Sequence, residues 1–466
     1  MKLLCFLLVA ALPVTAAISG RRVQAIANST SAGRGAQWGI EVADSQTGRL
    51  LYAFNAHKLF TPASNVKLLT TALALTKLGP TYRVETRVLM EGHNLVLYGS
   101  GDANLSGRRL PYDVHGVSAD PLRAIEALAT QIAATGLKTV EGDIIGDDTA
   151  FDYAPIPDGW EYADAVSDDG APVSALCIND NVVTLHIRKE SVEFEPNLPV
   201  FEIVNEIQTG DTAKVTVTRE PGSYRLLLTG TLPPGAVYDE QVSVGDPARF
   251  AAMALKAALI RHGVNVNGAA SARHRYAGEP LPAAPTSAPI ASLSSAPLIE
   301  DLQVTDKVSQ NLHAELLLRQ VATQQNGHGS LQLGLAAMKE FLAGFHISPG
   351  DYDLRDGSGL ARKDLITPDA LILLLRGMDA SPQAEAWRSL LPVSGTDGSL
   401  RDRLGRRATG KVLAKTGSLT HVAALSGYLQ TRKGHALTFS IIVNAYNGPA
   451  GEMRGLIDKL VLLMMQ

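Results

Sequence analysis

Ser64-Asn65-Val66-Lys67-Leu68-Leu69-Thr70-Thr71-Ala72-Leu73-Ala74-Leu75 decides how this chain is read. Thr61-Pro62-Ala63 leads into it and Gly79-Pro80 follows Leu78, so the spacing predicts a helix from Ser64 to Leu78 with clear start and stop signals. Ser64 stands at the first turn and Lys67 three residues on, which sets both side chains on one face. A serine hydroxyl is a weak nucleophile until a base stands beside it, and a lysine is a base only when neutral. The ordinary lysine pKa of ~10.4 opposes that at neutral pH, but desolvation and a second cation nearby both lower it.

Two further motifs supply what this pair lacks. Ser309-Gln310-Asn311 offers a hydroxyl and an amide two residues apart, at the front of a helix carrying Leu312, Leu316 and Leu317. Lys415-Thr416-Gly417-Ser418 offers the second cation, hydroxyls for a substrate carboxylate, and a glycine that lets another backbone approach an edge strand. Taken singly, these are a capped helix with a solvated lysine, a polar helix surface and an ordinary turn. In this order, they make a serine acyl-transfer site.

The rest of the chain is organised around these motifs. Gln37 to Ala43 and Leu50 to Phe54 read as two strands joined by a turn at Asp44 to Gly48, and Ala423 to Thr431 and Ala436 to Ala445 read as two more. Helical patterning runs from Leu298 through Gln325, from Leu331 to Gly344, from Pro368 to Met378 and from Glu452 to Met465. Between Tyr82 and Ala284 the texture is instead short alternating runs, interrupted by helical stretches at Pro121 to Thr135 and Pro247 to His262. If the three motifs meet, this region loops out of an α/β domain whose sheet draws strands from both ends of the chain. The expected division is a signal peptide at 1–17, a catalytic domain of 18–81 and 285–466, and a β-rich inserted region of 82–284 in two subdomains. The Pro-, Ala- and Ser-rich segment Gly278 to Pro297 marks the exit from the insertion.

Composition limits the alternatives. The 466 residues are 45% hydrophobic, enough for two or three packed domains. A net charge of −4 provides no basic face for nucleic acid. Lys2 followed by the apolar run Leu3 to Val14 and small residues to Ala17 reads as a secretory signal, too short to span a bilayer. Cys177 is then the only cysteine of the mature chain, so no intrachain disulfide is expected. The eleven histidines show no His-Glu-x-x-His spacing, and no Gly-x-Ser-x-Gly elbow is present. No metal or cofactor is expected. The final helix carries only Arg454 and Lys459 as cations, which favours core packing over a membrane-surface anchor.

With these motifs in place, the chain resembles the class C low-molecular-mass penicillin-binding proteins, the D-alanyl-D-alanine carboxypeptidase/endopeptidases of penicillin-binding protein 4 type. The likeness extends over essentially the whole mature chain. It includes Asp356-Gly357-Ser358-Gly359-Leu360, Leu391-Pro392-Val393-Ser394-Gly395, Asp397-Gly398-Ser399-Leu400, Gly99-Ser100-Gly101-Asp102, Ala171-Pro172-Val173-Ser174-Ala175 and Asn179-Asp180-Asn181. Ala361-Arg362 stands where relatives usually carry Ser-Arg, a mild departure.

The resemblance implies a penicillin-binding-protein/β-lactamase-like transpeptidase domain, a central antiparallel sheet with helices, bearing the large insertion. It implies Ser64 as acyl acceptor, Lys67 as its base, Ser309 as proton relay and Asn311 as orienting group. Lys415, Thr416, Gly417 and Ser418 would form the strand that binds the terminal carboxylate, and the Ser64 and Ser418 N–H groups would form the oxyanion hole. Asp164, in Gly159 to Asp164, would meet the amino end of the peptide side chain. The partners implied are peptidoglycan stem peptides and β-lactam antibiotics as covalent inhibitors, in the periplasm or on the outer face of the cytoplasmic membrane; self-association stays open. A β-lactamase-like hydrolase and a non-catalytic penicillin-binding scaffold are the competing readings. The first wants a deacylating Glu between closely spaced motifs, and the second is disfavoured by a complete set of catalytic groups.

Overall fold

The computed structural model describes residues 18–115, 120–220, 222–282 and 287–466. The signal segment 1–17 and the boundary at 284–285 lie outside them.

Five strands form one antiparallel sheet in the order Val412–Leu419, Val422–Gln430, Ala436–Asn444, Gln37–Asp44, Leu50–Phe54. Strand Gln37–Asp44 is zipped along its whole length to the C-terminal strand, from Gln37 opposite Asn444 to Asp44 opposite Leu437. The two ends of the chain therefore build one sheet. The middle strands are apolar on both faces because both faces are covered, and Val422 through Leu429 is buried without alternation. Trp38, Ile40, Leu425, Phe439 and Ile441 pack on one side against Gly20–Ala27 and the closing helix Ala450–Met464. On the other side Phe60, Ala424, Tyr428 and Ile442 pack against helices that include Val66–Leu78, Asn311–Asn326 and Pro368–Asp379. Two helical layers thus sandwich the sheet. Among the described residues no helix is long and apolar enough to cross a membrane.

The inserted region has three larger sheets of its own. One runs Ala270–Arg273, Ile144–Asp147, Asn94–Tyr98, Glu85–Glu91, Ala291–Ser294; a second joins Tyr238–Ser243, Val182–Ile187 and Val192–Glu195. The third pairs Arg225–Leu232 with Lys214–Arg219, Gln208–Thr209 and Glu202–Asn205. One hydrophobic cluster running from Val88 to Ala291 serves all three sheets, so the two expected subdomains share a core. The return to the part of the chain built on the five-stranded sheet also comes later than residue 285. Ala291 pairs with Val88 and Ser294 with Glu85, which places that strand in the insertion and moves the boundary close to Leu298.

The helical stretch expected from Leu298 to Gln325 is broken into Leu298–Lys307 and Asn311–Asn326. Ser309 sits at the corner with φ of +68°. The break turns the second helix so that Asn311 heads it, facing the start of Val66–Leu78.

Candidate active site

Ser64 lies in a single 3-10 turn, Ala63–Asn65, that feeds directly into the helix Val66–Leu78. Ala63 holds φ of +49°, a conformation that costs a non-glycine residue about 1–2 kcal/mol and persists only when neighbours enforce it. Two glycines make room for them. A Cβ on Gly359 would stand 2.0 Å from the Ala63 carbonyl oxygen, and one on Gly417 would stand 2.6 Å from that of Pro62. Asn65, fully buried, donates from Nδ2 to the Lys415 carbonyl at 3.0 Å and so ties the Ser64 turn to the edge strand.

Lys67 has no exposed surface, and its Nζ has three partners: Ser64 Oγ at 2.9 Å, Asn311 Oδ1 at 2.5 Å and the Ser358 carbonyl at 2.8 Å. Asn311 is fixed in this orientation by its Nδ2, which donates to the Asp169 carbonyl at 2.9 Å. The amide oxygen of Asn311 and the Ser358 carbonyl oxygen can only accept, so they take two N–H bonds and leave the third direction to Ser64. In the ammonium form that direction is an N–H; in the neutral form it is the lone pair, aimed at the serine hydroxyl. Burial lowers the Lys67 pKa to about 8, while Asp356, Asp306, Glu315 and Asp169 pull it upward.

Lys415 is also fully buried and donates to Ser309 Oγ at 2.8 Å and the Thr416 carbonyl at 3.0 Å. Its pKa is held below the ordinary lysine value by burial and by the charge of Lys67. Burial is the largest cause of the lowering on both lysines, and their mutual repulsion acts in the same direction. Thr416 Oγ1 pairs with Ser399 Oγ at 2.8 Å, and Ser418 is exposed one strand period on. Lys415 and Gly417 point inward and Thr416 and Ser418 outward, the alternation of an edge strand.

The three motifs are thus brought together, with Ser64 and Ser309 both partly accessible. Asp164 is not bonded to them. It heads a 3-10 turn, Asp164–Val166, half-buried, and its Oδ2 accepts from the Glu161 N–H at 2.8 Å rather than standing free in the cleft. Burial raises its pKa, and Arg362 opposes that rise. The loop carrying it does reach the site, because Asp169 supplies the carbonyl that orients Asn311.

Two residues central to the geometry were not assigned roles from sequence. Asp356 accepts from the N–H groups of Ser358, Gly359 and Ala361 and from Trp160 Nε1, and so shapes the loop that offers the Ser358 carbonyl to Lys67. Its signal was present in the Asp356 to Leu360 motif. Asp306, wholly buried, lies in the field of both lysines. Among the described residues no group of three or more His, Cys, Asp or Glu is placed to hold a metal ion.

The arrangement has relatives. The model of the D-Ala-D-Ala carboxypeptidase 3 (S13) family matches residues 22–463. A D-alanyl-D-alanine carboxypeptidase of Actinomadura sp. (strain R39) is 33% identical over 446 residues, covering 89% of this chain and 79% of that protein. Penicillin binding protein 4 (dacB) from Haemophilus influenzae superposes with a TM-score of 0.81 at 21% identity, over 95% of this chain and 99% of that one. A second structure of that protein is complexed with a β-lactam. Bd3459, a predatory peptidoglycan endopeptidase from Bdellovibrio bacteriovorus, shares the fold with a TM-score of 0.51 at 16% identity, covering 92% of each chain.

Proposed function

The chain belongs to the D-Ala-D-Ala carboxypeptidase 3 (S13) family, and from that membership and the site geometry we propose a serine-type D-alanyl-D-alanine carboxypeptidase and DD-endopeptidase acting on peptidoglycan stem peptides. One observation carries the serine mechanism: Lys67 Nζ lies 2.9 Å from Ser64 Oγ with its other two directions taken by acceptors.

In this mechanism neutral Lys67 takes the Ser64 hydroxyl proton as Oγ bonds to the carbonyl carbon of the penultimate D-Ala. Backbone N–H groups at Ser64 and Ser418 meet the developing oxyanion. Thr416 and Ser418 offer their hydroxyls to the terminal carboxylate, and Lys415 on the inner side of the same strand supplies the positive charge that attracts it. Collapse of the intermediate breaks the C–N bond, and the leaving nitrogen takes a proton through Ser309. The leaving amine is free D-Ala in carboxypeptidase action and a cross-linked diamino acid in endopeptidase action, while the acyl half is common to both. Water, deprotonated in turn by Lys67, then attacks the Ser64 ester and releases the shortened peptide acid. A β-lactam enters the first half-reaction and stalls in the second, because its ring-opened amine stays attached. The signal-like run Lys2 to Ala17 supports the reading that this chemistry takes place outside the cytoplasmic membrane.

The test is acylation by a labelled β-lactam followed by intact mass. The expected result is one adduct on the wild type and none on Ser64→Ala; an adduct persisting on that variant rejects the nucleophile. Digestion of defined monomeric and cross-linked muropeptides, read by mass, then reports the two activities separately.

A further inference from the structure

Gln310 sits inside the Ser309-Gln310-Asn311 motif but takes no part in the acyl transfer. It stands at the N-cap of helix Asn311–Asn326, yet its side chain does not cap that helix. Instead its Nε2 donates to Asp180 Oδ2 at 3.0 Å, in the inserted region. The other carboxylate oxygen, Oδ1, lies 3.1 Å from His313 Nε2, on the first turn of the same helix. Positions i and i+3 share a helix face, so one carboxylate grips the start of the helix at two points. Ser309 and Asn311 flank Gln310 and meet the two lysines: Lys415 donates to Ser309 Oγ at 2.8 Å and Lys67 to Asn311 Oδ1 at 2.5 Å. The roll of this turn therefore sets where both groups stand.

The grip extends to both sides of the corner. His313 has no exposed surface, and its Nδ1 lies 2.6 Å from Asp301 Oδ1, on the helix that precedes Ser309. An imidazole with a carboxylate at each nitrogen must carry both hydrogens to donate to both. Burial disfavours that charged form, but Asp301 and Asp180 outweigh it and raise the His313 pKa to about 9. From the insertion, Arg108 pairs with Asp180, and Asn104 Nδ2 donates to Asp301 Oδ1 at 2.9 Å. Insertion residues thus hold the helices on both sides of Ser309. The turn that presents Asp180 is itself constrained. Asn179, Asp180 and Asn181 hold φ of +48°, +53° and +57° without a glycine, and such conformations persist only where the surroundings impose them. Asn181 helps to impose them, accepting from the Ile178 N–H at 3.3 Å and donating to the Pro172 carbonyl at 2.8 Å.

We infer that Asp180 is a positioning residue, acting through Gln310 and His313, by which the inserted region holds the Ser309 hydroxyl where it hands a proton to the leaving amine. The inference rests on the acyl-enzyme reading above, in which Ser309 is the relay. Ser309 has φ of +68°, which local preference opposes, so releasing its neighbour lets the hydroxyl drift.

The leaving group distinguishes positioning from general support. An amide nitrogen must gain a proton to leave, whereas a thiolate departs without one, so an acyl-D-Ala thioester that keeps the terminal carboxylate bypasses Ser309. The experiment compares kcat/KM, which reports acylation, for a D-alanyl-D-alanine peptide and for that thioester. Gln310→Met keeps the length and loses the donor; it is expected to lower peptide turnover by about tenfold, the loss of one hydrogen bond to a charged group, and thioester turnover by less than about twofold. Asp180→Asn keeps the shape and loses the charge, and is expected to show the same selectivity. If it yields no folded enzyme, Gln310→Met, whose side chain is partly accessible, carries the test. Equal losses on the two substrates in either folded variant, or no loss on either substrate, overturns the role. Ser309→Ala is the benchmark. Equal losses in that variant, or a wild type that turns over neither substrate, overturn the acyl-enzyme reading with its relay, and this inference with it. A Ser309→Ala that spares the thioester while Gln310→Met does not overturns the Asp180 role alone.

Discussion

Gly359→Ala separates the strain at the Ser64 turn from ordinary backbone cost. Gly359 has φ of +81°, where an L-residue loses about 1–2 kcal/mol. The new Cβ would also fall 2.0 Å from the Ala63 carbonyl oxygen and 2.5 Å from its carbon. A carbon–oxygen contact is comfortable near ~3.3 Å, so one backbone must retreat by about 1 Å. The residue that moves with Ala63 is Ser64, and a misplacement of about 1 Å costs on the order of 10²-fold in rate, about 2.7 kcal/mol of barrier. Gly434→Ala is the control. It has φ of +85° in the turn between the last two strands, with nothing within 4 Å of a Cβ. It is therefore expected to lose about 1–2 kcal/mol of stability from φ alone and keep its acylation rate. Second-order acylation by a fluorescent penicillin, with thermal unfolding in parallel, measures both variants. Acylation of Gly359→Ala within about threefold of wild type would refute the reasoning, since the contact then would not position Ser64. Equal activity losses in the two variants would refute it as well.

Lys67→Arg keeps the charge but has no neutral form in reach, so acylation should fall by at least ~10²-fold. Wild-type acylation should rise with pH through about 8, where the lowered Lys67 pKa frees the base; an arginine variant that retains this limb would assign it to another group. Asp164→Asn can still accept from the Glu161 N–H, so the loop should hold while the negative charge is lost. Turnover of amine-bearing stem peptides is expected to drop by about tenfold, the loss of one charge-assisted hydrogen bond, with penicillin acylation nearly unchanged. Matching losses on both substrates would make Asp164 structural, and no loss on either would remove it from the site.

What the sequence revealed and what it hid divide along a physical line. The central sheet was legible because its strands are apolar runs bounded by turn residues, and the Ser64 helix because Gly79-Pro80 stops it. The break at Ser309 was not, since Val308-Ser309-Gln310 contains neither glycine nor proline and the apolar spacing continues across it. Strand Ala291–Ser294 was hidden for the converse reason. It has no β-branched residue, and its pairing is supplied by the distant strand Glu85–Glu91. Asp306 falls among buried helix positions, where its meaning depends on two lysines contributed by other elements.

Two of the features that pattern could not reveal lie at the three motifs. Ala63 and Ser309, adjoining or forming two of the motifs, both hold left-handed φ without being glycine. Local preference opposes such conformations, so tertiary contacts must supply them: the close approaches at Gly359 and Gly417 for Ala63, and the Lys415 hydrogen bond for Ser309. The same contacts join the Ser64 helix, the Ser309 corner and the edge strand into one rigid unit. Strain and assembly are therefore one property of this site, and a substitution that relaxes either corner is expected to lose catalysis before it loses the fold.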